Sequence, residues 1–159
     1  MNFIYLFVSK ILIFLRKCYH YEDKKKFKIN FENQSSYLGK NSRFFFKDIH
    51  QIKLGKNLYI GENVLINCSR GGSVTIGDNT GLAEGVKILS WYEDSLPSLP
   101  KKIIKKDIVI GKNCIIGYNA IIMPGVTIGD FCKISPLSVV YTDVPSNSVA
   151  MGNPAQIVK

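Results

Sequence analysis

A branched aliphatic residue returns at every sixth position over much of this chain, and this period limits the folds open to it. Ile, Leu or Val occupies twelve such anchor positions, with two interruptions: 54, 60, 66, 76, 82, 88, 110, 116, 122, 128, 134 and 140. Gly often follows the anchor, and Asn or Gly often stands three places after it, as in Leu54-Gly55-Lys56-Asn57. Asn and Gly tolerate a positive φ angle with the least strain. Each hexad therefore predicts a short strand followed by a bend.

A smaller or β-branched residue stands four places after many anchors, which suits a tight inner corner: Val64, Thr80, Val86, Ala120, Val126 and Ser138. A six-residue unit cannot bury its own apolar side, whereas stacked units form a continuous core and pair their backbone edges. Three hexads make one triangular coil, so the anchors predict about four coils, each rising roughly 4.8 Å. An irregular hexad, Leu38-Gly39-Lys40-Asn41 running into Phe44, indicates that the stack begins before the first anchor.

Three longer motifs resemble the hexapeptide-repeat acyltransferase family. They are Ile110-Gly111-Lys112-Asn113, the run Ile-Met-Pro-Gly-Val-Thr-Ile-Gly-Asp from Ile122, and Asp143-Val144-Pro145 with the later Gly152-Asn153-Pro154-Ala155. The resemblance covers roughly residues 54 to 159. It implies an all-β fold, a single-stranded left-handed parallel β-helix, assembled as a homotrimer with acetyl-coenzyme A (acetyl-CoA) bound between subunits. The spacing alone does not set the handedness of the coils. A left-handed winding is an exception to the usual right-handed crossover.

The length of 159 residues fits one domain with a short appendage. We expect an apolar and basic helical segment over residues 1–30, and the β-helix domain over residues 31–159 with a loop at about residues 90–107. The cysteines lack C-x-x-C spacing and are predicted to be reduced core residues: Cys18, Cys68, Cys114 and Cys132. With only His20 and His50 present, a three-histidine metal site cannot be built, and no metal is predicted.

The net charge of +9 is concentrated early, since twelve of the 21 Lys and Arg residues precede residue 60. Residues 2–15 are nearly all apolar, apart from Lys10, and are predicted to form an N-terminal α-helix. Fourteen helical residues span about 21 Å, short of the ~30 Å hydrocarbon core. The helix therefore either lies on an anionic inner-membrane surface, through residues 1–28, or caps the first coil. No secretory signal and no nucleic-acid-binding motif accompany it, so we expect a cytoplasmic protein without a nucleic-acid partner.

Two interruptions break the six-residue count: the corner from Ser69 to Ser73, where four extra residues separate the anchors Ile66 and Ile76, and the long loop. In the resembled family, the long loop reaches a neighbouring subunit and carries a catalytic histidine at its start. Counted from Ile88, Glu93 stands at that place. Histidine suits proton removal from a sugar hydroxyl, because its pKa of about 6.5 is near neutrality.

A glutamate is a weaker base unless burial raises its pKa, which can reach about 8 or 9. One hypothesis is that Trp91 and Tyr92, which precede Glu93, supply that burial. The alternative is that Glu93 and Asp94 are solvated loop acids.

The resemblance assigns the remaining site positions unevenly. Asn67 matches an asparagine that contacts the acceptor, with a corner side chain bonded to backbone as the alternative. The implied acetyl-CoA positions are Tyr118 at the pantetheine, Pro136 where backbone binds the cofactor, Tyr141 and Thr142 in place of a Thr-Lys pair, and Lys159 at the phosphates. Proline has no N–H to donate, so the cofactor groove is only partly matched.

The sequence thus favours an O-acetyltransferase that moves the acetyl group of acetyl-CoA to a hydroxyl of a sugar or surface-polysaccharide precursor. The reaction would run through one ternary complex with backbone donors stabilising the oxyanion. A catalytically silent β-helix with a structural or binding role is the alternative, because the usual histidine is absent. A nucleotidyltransferase is disfavoured, because no glycine-rich nucleotide domain precedes the repeats.

Overall fold

The computed structural model describes residues 36–95 and 100–158. One short 3₁₀ helix, Ile49–Gln51, is the only helix in these two ranges. The strands there, in chain order, are β1 Tyr37–Leu38, β2 Arg43–Phe45, β3 Ile52–Leu54, β4 Tyr59–Ile60, β5 Leu65–Asn67, β6 Val74–Ile76, β7 Gly81–Leu82, β8 Lys87–Leu89, β9 Trp91–Asp94, β10 Lys102–Lys105, β11 Ile108–Ile110, β12 Ile115–Ile116, β13 Ile121–Ile122, β14 Thr127–Ile128, β15 Lys133–Ile134, β16 Val139–Val140, β17 Val149–Gly152 and β18 Ala155–Val158.

Apart from the β9–β10 hairpin and the last strand, successive strands fall on three sheets in turn, so the chain winds as a parallel β-helix. Face 1 has the order β1-β4-β7-β12-β15-β17-β18, face 2 has β16-β13-β8-β5-β2, and face 3 has β14-β11-β6-β3. Pairing within the faces is parallel except between β17 and β18, which form an antiparallel end. Residues eighteen apart pair in the regular part, as Ile115 does with Lys133 and Val109 with Thr127. This register confirms that three hexads make one coil.

The stack is taller than the anchors predicted. Face 2 contains five strands, whereas the anchor count predicted about four coils. The difference arises at the start, because Leu38 pairs with Ile60 and Phe44 with Ile66, which makes the irregular first hexads a full member of the stack. The expectation that the coils begin before the first anchor is therefore confirmed, and the twelve anchors themselves supply four strands on each face, as predicted.

The core is the line of anchors, as the period predicted. Every anchor is buried except Leu54, which is partly buried and packs against the core. The smaller residues at the inner corners are buried as well: Val64, Thr80, Val86, Ala120, Val126 and Ser138. Cys68, Cys114 and Cys132 are buried and unpaired, in agreement with their prediction as reduced core residues.

Asparagines hold the outer corners in the left-handed backbone region, with φ near +55° at Asn57, Asn79 and Asn113 (53°, 56° and 56°). Their side chains also bond to one another up the stack. Asn57 Nδ2 donates to Asn79 Oδ1 at 3.1 Å, and Asn79 Nδ2 donates to Asn113 Oδ1 at 3.2 Å. Two corners without such a residue, Phe131 and Leu137, adopt the same conformation, at φ 57° and 60°. Their residue types did not predict this conformation.

All the insertions into the repeat lie on one edge of the prism, between face 2 and face 3, which we call the loop edge. In the first coil this edge holds the 3₁₀ helix, in the second it holds residues 69–73, and in the third it holds residues 90–95 and 100–107. Gln51 Nε2 bonds the carbonyls of Cys68 and Gly72, at 3.1 and 2.9 Å. Ser90 Oγ bonds the carbonyl of Gly71 at 2.6 Å. Each insertion is thus bonded to the next along the edge.

The long loop is an antiparallel hairpin, in which β9 pairs with β10 and Trp91 lies opposite Lys105. The sequence predicted its place but not its strands. The predicted N-terminal helix, with its alternatives of membrane surface and cap, lies outside the described residues, as do Cys18, His20 and Lys159. Within the described ranges, no helix has the length and apolar character needed to cross a membrane.

Candidate acetyl-transfer site

Asn67 ends β5 at the loop edge, and its side-chain oxygen is held by three donors. Oδ1 accepts from the backbone N of Ser69 at 3.1 Å, from Ser69 Oγ at 2.8 Å and from Trp91 Nε1 at 3.1 Å. These bonds set the orientation of the amide, because only its oxygen can accept. The Nδ2 group makes no hydrogen bond to any described residue, which leaves it to donate to a ligand. The bond from the Ser69 backbone N matches the alternative of a corner side chain bonded to backbone, but it involves only the amide oxygen.

Glu93 lies on the hairpin near Asn67, and Trp91 connects the two. Alternate residues of a strand share a face, so the Trp91 and Glu93 side chains lie on the same side of β9. The Arg70 guanidinium lies over the Trp91 ring, 4.6 Å from its centroid, and Arg70 Nη1 is 3.5 Å from Glu93 Oε2. The structure therefore brings the two predicted catalytic residues to one site.

The Glu93 carboxylate is surrounded by positive charge. Lys101 Nζ lies 3.3 Å from Oε1, and Ser95 Oγ donates to the same oxygen at 3.2 Å. The hydrogen bond and charge of Lys101, helped by Ser95 and Arg70, hold the pKa of Glu93 below its usual value.

The expectation that burial against Trp91 and Tyr92 raises the pKa of Glu93 is wrong in this chain. Tyr92 is exposed on the opposite face of the strand, and the Glu93 side chain keeps 31% of its exposure. Burial does act to raise the pKa, but the neighbouring cations outweigh it.

The predicted cofactor positions fall on two different edges. Tyr118 and Pro136 lie between face 1 and face 2, in successive coils, and the N–H of Leu137 donates to the Tyr118 carbonyl at 2.8 Å. Tyr141 and Thr142 follow β16 on the loop edge, and all four residues are exposed. In a single chain these residues do not form one groove.

His50 is exposed in the 3₁₀ helix on the loop edge, two coils below β9. At ~4.8 Å per coil it stands about 10 Å from the hairpin along the axis. That distance is too long for direct proton transfer between His50 and the hairpin. Among the described residues, no group of three or more His, Cys, Asp or Glu side chains is arranged to hold a metal ion.

Sequence reasoning missed Arg70 and Lys105, both of which border the site. Arg70 lies in the four-residue insertion, which appeared to be only a corner, and Lys105 was one of several loop lysines. Lys105 Cδ would lie 2.8 Å from a Cβ at Gly71, so its stem packs across the insertion beside Arg70. One feature of the sequence could have indicated these residues: the two insertions interrupt the repeat at the same edge of neighbouring coils, so their side chains are expected to meet.

Comparison with known proteins points to one family. The sequence model described as "Bacterial transferase hexapeptide (six repeats)" matches residues 107–142. A galactoside O-acetyltransferase from Escherichia coli (strain K12) is 36% identical over 117 residues, which is 72% of this chain and 57% of that protein. The chain therefore spans little more than half the length of that curated relative.

Two solved structures match over a larger share. A maltose O-acetyltransferase from Clostridium difficile 630 has a TM-score of 0.66 and 31% identity, covering 80% of this chain and 71% of that one. A hexapeptide-repeat acetyltransferase from Vibrio cholerae O1 biovar eltor, complexed with acetyl-CoA, has a TM-score of 0.66 and 28% identity, covering 86% and 76%. With its eighteen-residue coils and buried anchors, this chain belongs to the hexapeptide-repeat acyltransferase family.

Proposed function

We propose that this protein transfers the acetyl group of acetyl-CoA to a hydroxyl of a sugar or of a surface-polysaccharide precursor. One observation carries the proposal: Asn67 and Glu93, each assigned to the chemistry from sequence, meet at one site through Trp91 and Arg70. They do so in a chain whose relatives include a galactoside O-acetyltransferase and a maltose O-acetyltransferase. Acetyl-CoA, which one structural neighbour binds, would supply the activated acetyl group.

The residues of this site have distinct tasks in the proposed reaction. Asn67 donates from Nδ2 to an acceptor hydroxyl oxygen, because its Oδ1 is already occupied. Glu93 takes the proton of the attacking hydroxyl. With a lowered pKa, Glu93 is ionised and ready to accept at neutral pH, but it is a weak base.

We propose that the active form is a homotrimer of left-handed coils. Tyr118 and Pro136 lie on a different edge from Tyr141 and Thr142, so a groove using all four needs a second copy of the chain. Lys159 would meet the coenzyme phosphates there. The exposed apolar side chains at the upper corners support such packing, notably Phe131, Leu137 and Tyr141.

A silent β-helix with a structural or binding role is the second candidate. The ion pairs of Glu93 favour it, because a carboxylate already neutralised by Lys101 and Arg70 resembles a structural surface group. Pro136 favours it as well, since proline offers no backbone donor to the cofactor.

Calorimetry with acetyl-CoA, followed by release of free thiol in the presence of sugars, separates the two candidates. Binding together with sugar-dependent thiol release is the expected result, and Glu93→Gln is expected to lower the rate at least tenfold, since general bases contribute about 10²–10⁴. Asp94→Asn, one residue along the same strand, is the matched control. Binding without turnover on a broad sugar panel would support the silent candidate, and no binding at all would exclude the enzyme.

The N-terminal segment, residues 1–28, is proposed to hold the protein at the inner face of the membrane, close to a lipid-linked acceptor. Its support is the apolar run followed by basic residues in the sequence. Deletion of residues 1–20 is expected to release the protein from anionic vesicles in a sedimentation assay. A full-length protein that never binds such vesicles, with an intact trimer, would favour the cap.

A further inference from the structure

Arg70 is held in place by an aromatic ring on one side, and among the described residues its donors have only Glu93 as a partner. Its guanidinium lies over the Trp91 ring, 4.6 Å from the centroid, a cation–π contact that holds the group beside the hairpin. The guanidinium has five N–H donors, and Glu93 pairs with one of its nitrogens, Nη1, at 3.5 Å. A charge-assisted hydrogen bond is usually about 2.7–2.9 Å long, so this pair is loose. The side chain is 48% exposed and open to solvent.

The surroundings of Arg70 carry excess positive charge. Lys105 lies opposite Trp91 on β10, and its stem packs at Gly71, next to Arg70 in the chain. Lys101 adds a second ammonium, 3.3 Å from Glu93. Glu93 is the acid that pairs with Arg70 and Lys101, so these two cations and the nearby Lys105 have one carboxylate between them.

The other nearby acids are directed elsewhere. Asp107 accepts from the backbone N and Oγ of Ser73, at 2.7 and 2.8 Å. Asp94 alternates with Glu93 along β9 and so lies on the opposite face, across from Lys102. The charge beside Trp91 is therefore not compensated within the described loop.

The same indole links this charge to the proposed acceptor position. Trp91 bonds Asn67 through Nε1 and carries Arg70 over its ring, so both groups contact the same indole. One sugar can therefore present a hydroxyl to Asn67 and an exocyclic oxyanion to Arg70.

We propose that Arg70, with Lys105, forms an oxyanion subsite, and that the acceptor is an anionic sugar bearing a carboxylate or a phosphate group. This inference rests on the proposed acetyl transfer and adds the class of substrate. A guanidinium matches both groups, because its fork binds two oxygens at once. The arriving oxyanion would replace Glu93 at Arg70 and place a like charge beside it, which favours the protonated form of Glu93 and so makes it a stronger base.

The test compares three acceptors that differ in one group: glucose, glucuronic acid and glucose 1-phosphate. The wild-type protein is expected to use one of the acidic sugars with a kcat/KM about ten- to a hundredfold above that of glucose, the range for hydrogen bonds to charged groups. Preference for glucuronic acid identifies a carboxylate site, and preference for the phosphate identifies a phosphate site. Arg70→Met is expected to remove most of this preference, and Arg70→Lys, which keeps the charge but not the fork, to remove part of it.

Arg43→Met is the matched control, because Arg43 is an exposed arginine of β2 in the first coil. It is expected to leave the ratio of kcat/KM for acidic and neutral sugars unchanged. Lys105→Met is expected to lower that ratio while the contact between Arg70 and Trp91 stays in place. Equal use of the three sugars by the wild type, or an equal loss of the ratio in the Arg43 and Arg70 variants, would overturn the subsite. A rise confined to the KM of acetyl-CoA would also overturn it, since Arg70 would then serve the donor. Absence of turnover on every acceptor would overturn the proposed transferase itself.

Discussion

The indole of Trp91 donates to the side-chain oxygen of Asn67 at 3.1 Å, and this bond joins the hairpin to the coil beneath it. It leaves the amide nitrogen of Asn67 as the group that can meet an acceptor. The proposed site therefore depends on a residue that contacts no reacting atom. Trp91 acts as a positioning residue for both Asn67 and Arg70.

Replacing Trp91 with Phe is expected to lower kcat/KM about three- to tenfold, because one hydrogen bond of roughly 1 kcal/mol is lost while the ring remains. The stacked Arg70 should stay in place. Steady-state kinetics on the best acceptor measures the effect, and Tyr92→Phe, on the opposite face of β9, is the control. An unchanged kcat/KM would mean that Ser69 alone holds the amide.

The pH profile should reveal whether Glu93 is the base. Its pKa is lowered, so the carboxylate is ionised from pH 5 to 8, and kcat/KM should show no acid limb in that range. Activity would fall only as the pH drops through the lowered pKa. A limb near pH 6.5 would indicate a base other than Glu93.

Lys101→Met should move the acid limb to higher pH. Lys101 is the largest cause of the lowered pKa, and its removal destabilises the charged carboxylate. Lys102→Met, one residue along the hairpin and on its other face, is expected to leave the limb in place. The pH dependence of kcat/KM for the two variants supplies the comparison.

Thr80→Val should destabilise the fold by about 1–3 kcal/mol. The buried Thr80 hydroxyl donates to the Gly111 carbonyl at 2.9 Å and accepts from the Cys114 N–H at 3.1 Å, so valine leaves both groups without that partner. Thr127→Val, the same change on an exposed strand position, is expected to cost far less. Urea denaturation of the two variants gives the difference in the free energy of unfolding.

Leu137→Asn should raise the free energy of unfolding by roughly 1 kcal/mol, because leucine is strained at a left-handed corner and asparagine is not. The residue is 71% exposed in the single chain, so little packing is lost. Asn119→Leu, the reverse change at the corner one coil below, should be destabilising. Lower stability of the Leu137 variant in the assembled protein would indicate that a neighbouring subunit covers this side chain.

The repeat could be predicted from sequence because each hexad is a local rule. Anchors such as Ile122 must be buried, and corners such as Asn113 must reach positive φ, so spacing alone gave the coils, the core and the interruptions. The first coil was underestimated because its corner residues and its insertion around Asp48 disturb the period. Phe131 and Leu137 were missed as corners because the stacking of neighbouring coils overrides their local preference.

The site was less accessible to sequence reasoning, because it is made by contacts between insertions. Asn67 and Glu93 came from the resemblance, and their roles remain predictions. The charge environment of Glu93 was not readable, since Arg70 and Lys101 are 23 and 8 positions away and meet it only once the hairpin folds back. Spacing along the chain carries no information on such contacts.

In the part of the chain that the structure describes, the insertions into the repeat occur on the loop edge, while the parallel registers on the three faces are kept. The residues on this edge can therefore change without destabilising the β-helix, because a longer or differently charged insertion leaves the strand pairing on the three faces unchanged. Related proteins should differ most there and least in the interior. An engineer who wants a new acceptor would redesign residues 69–73 together with the hairpin and leave the spiral untouched.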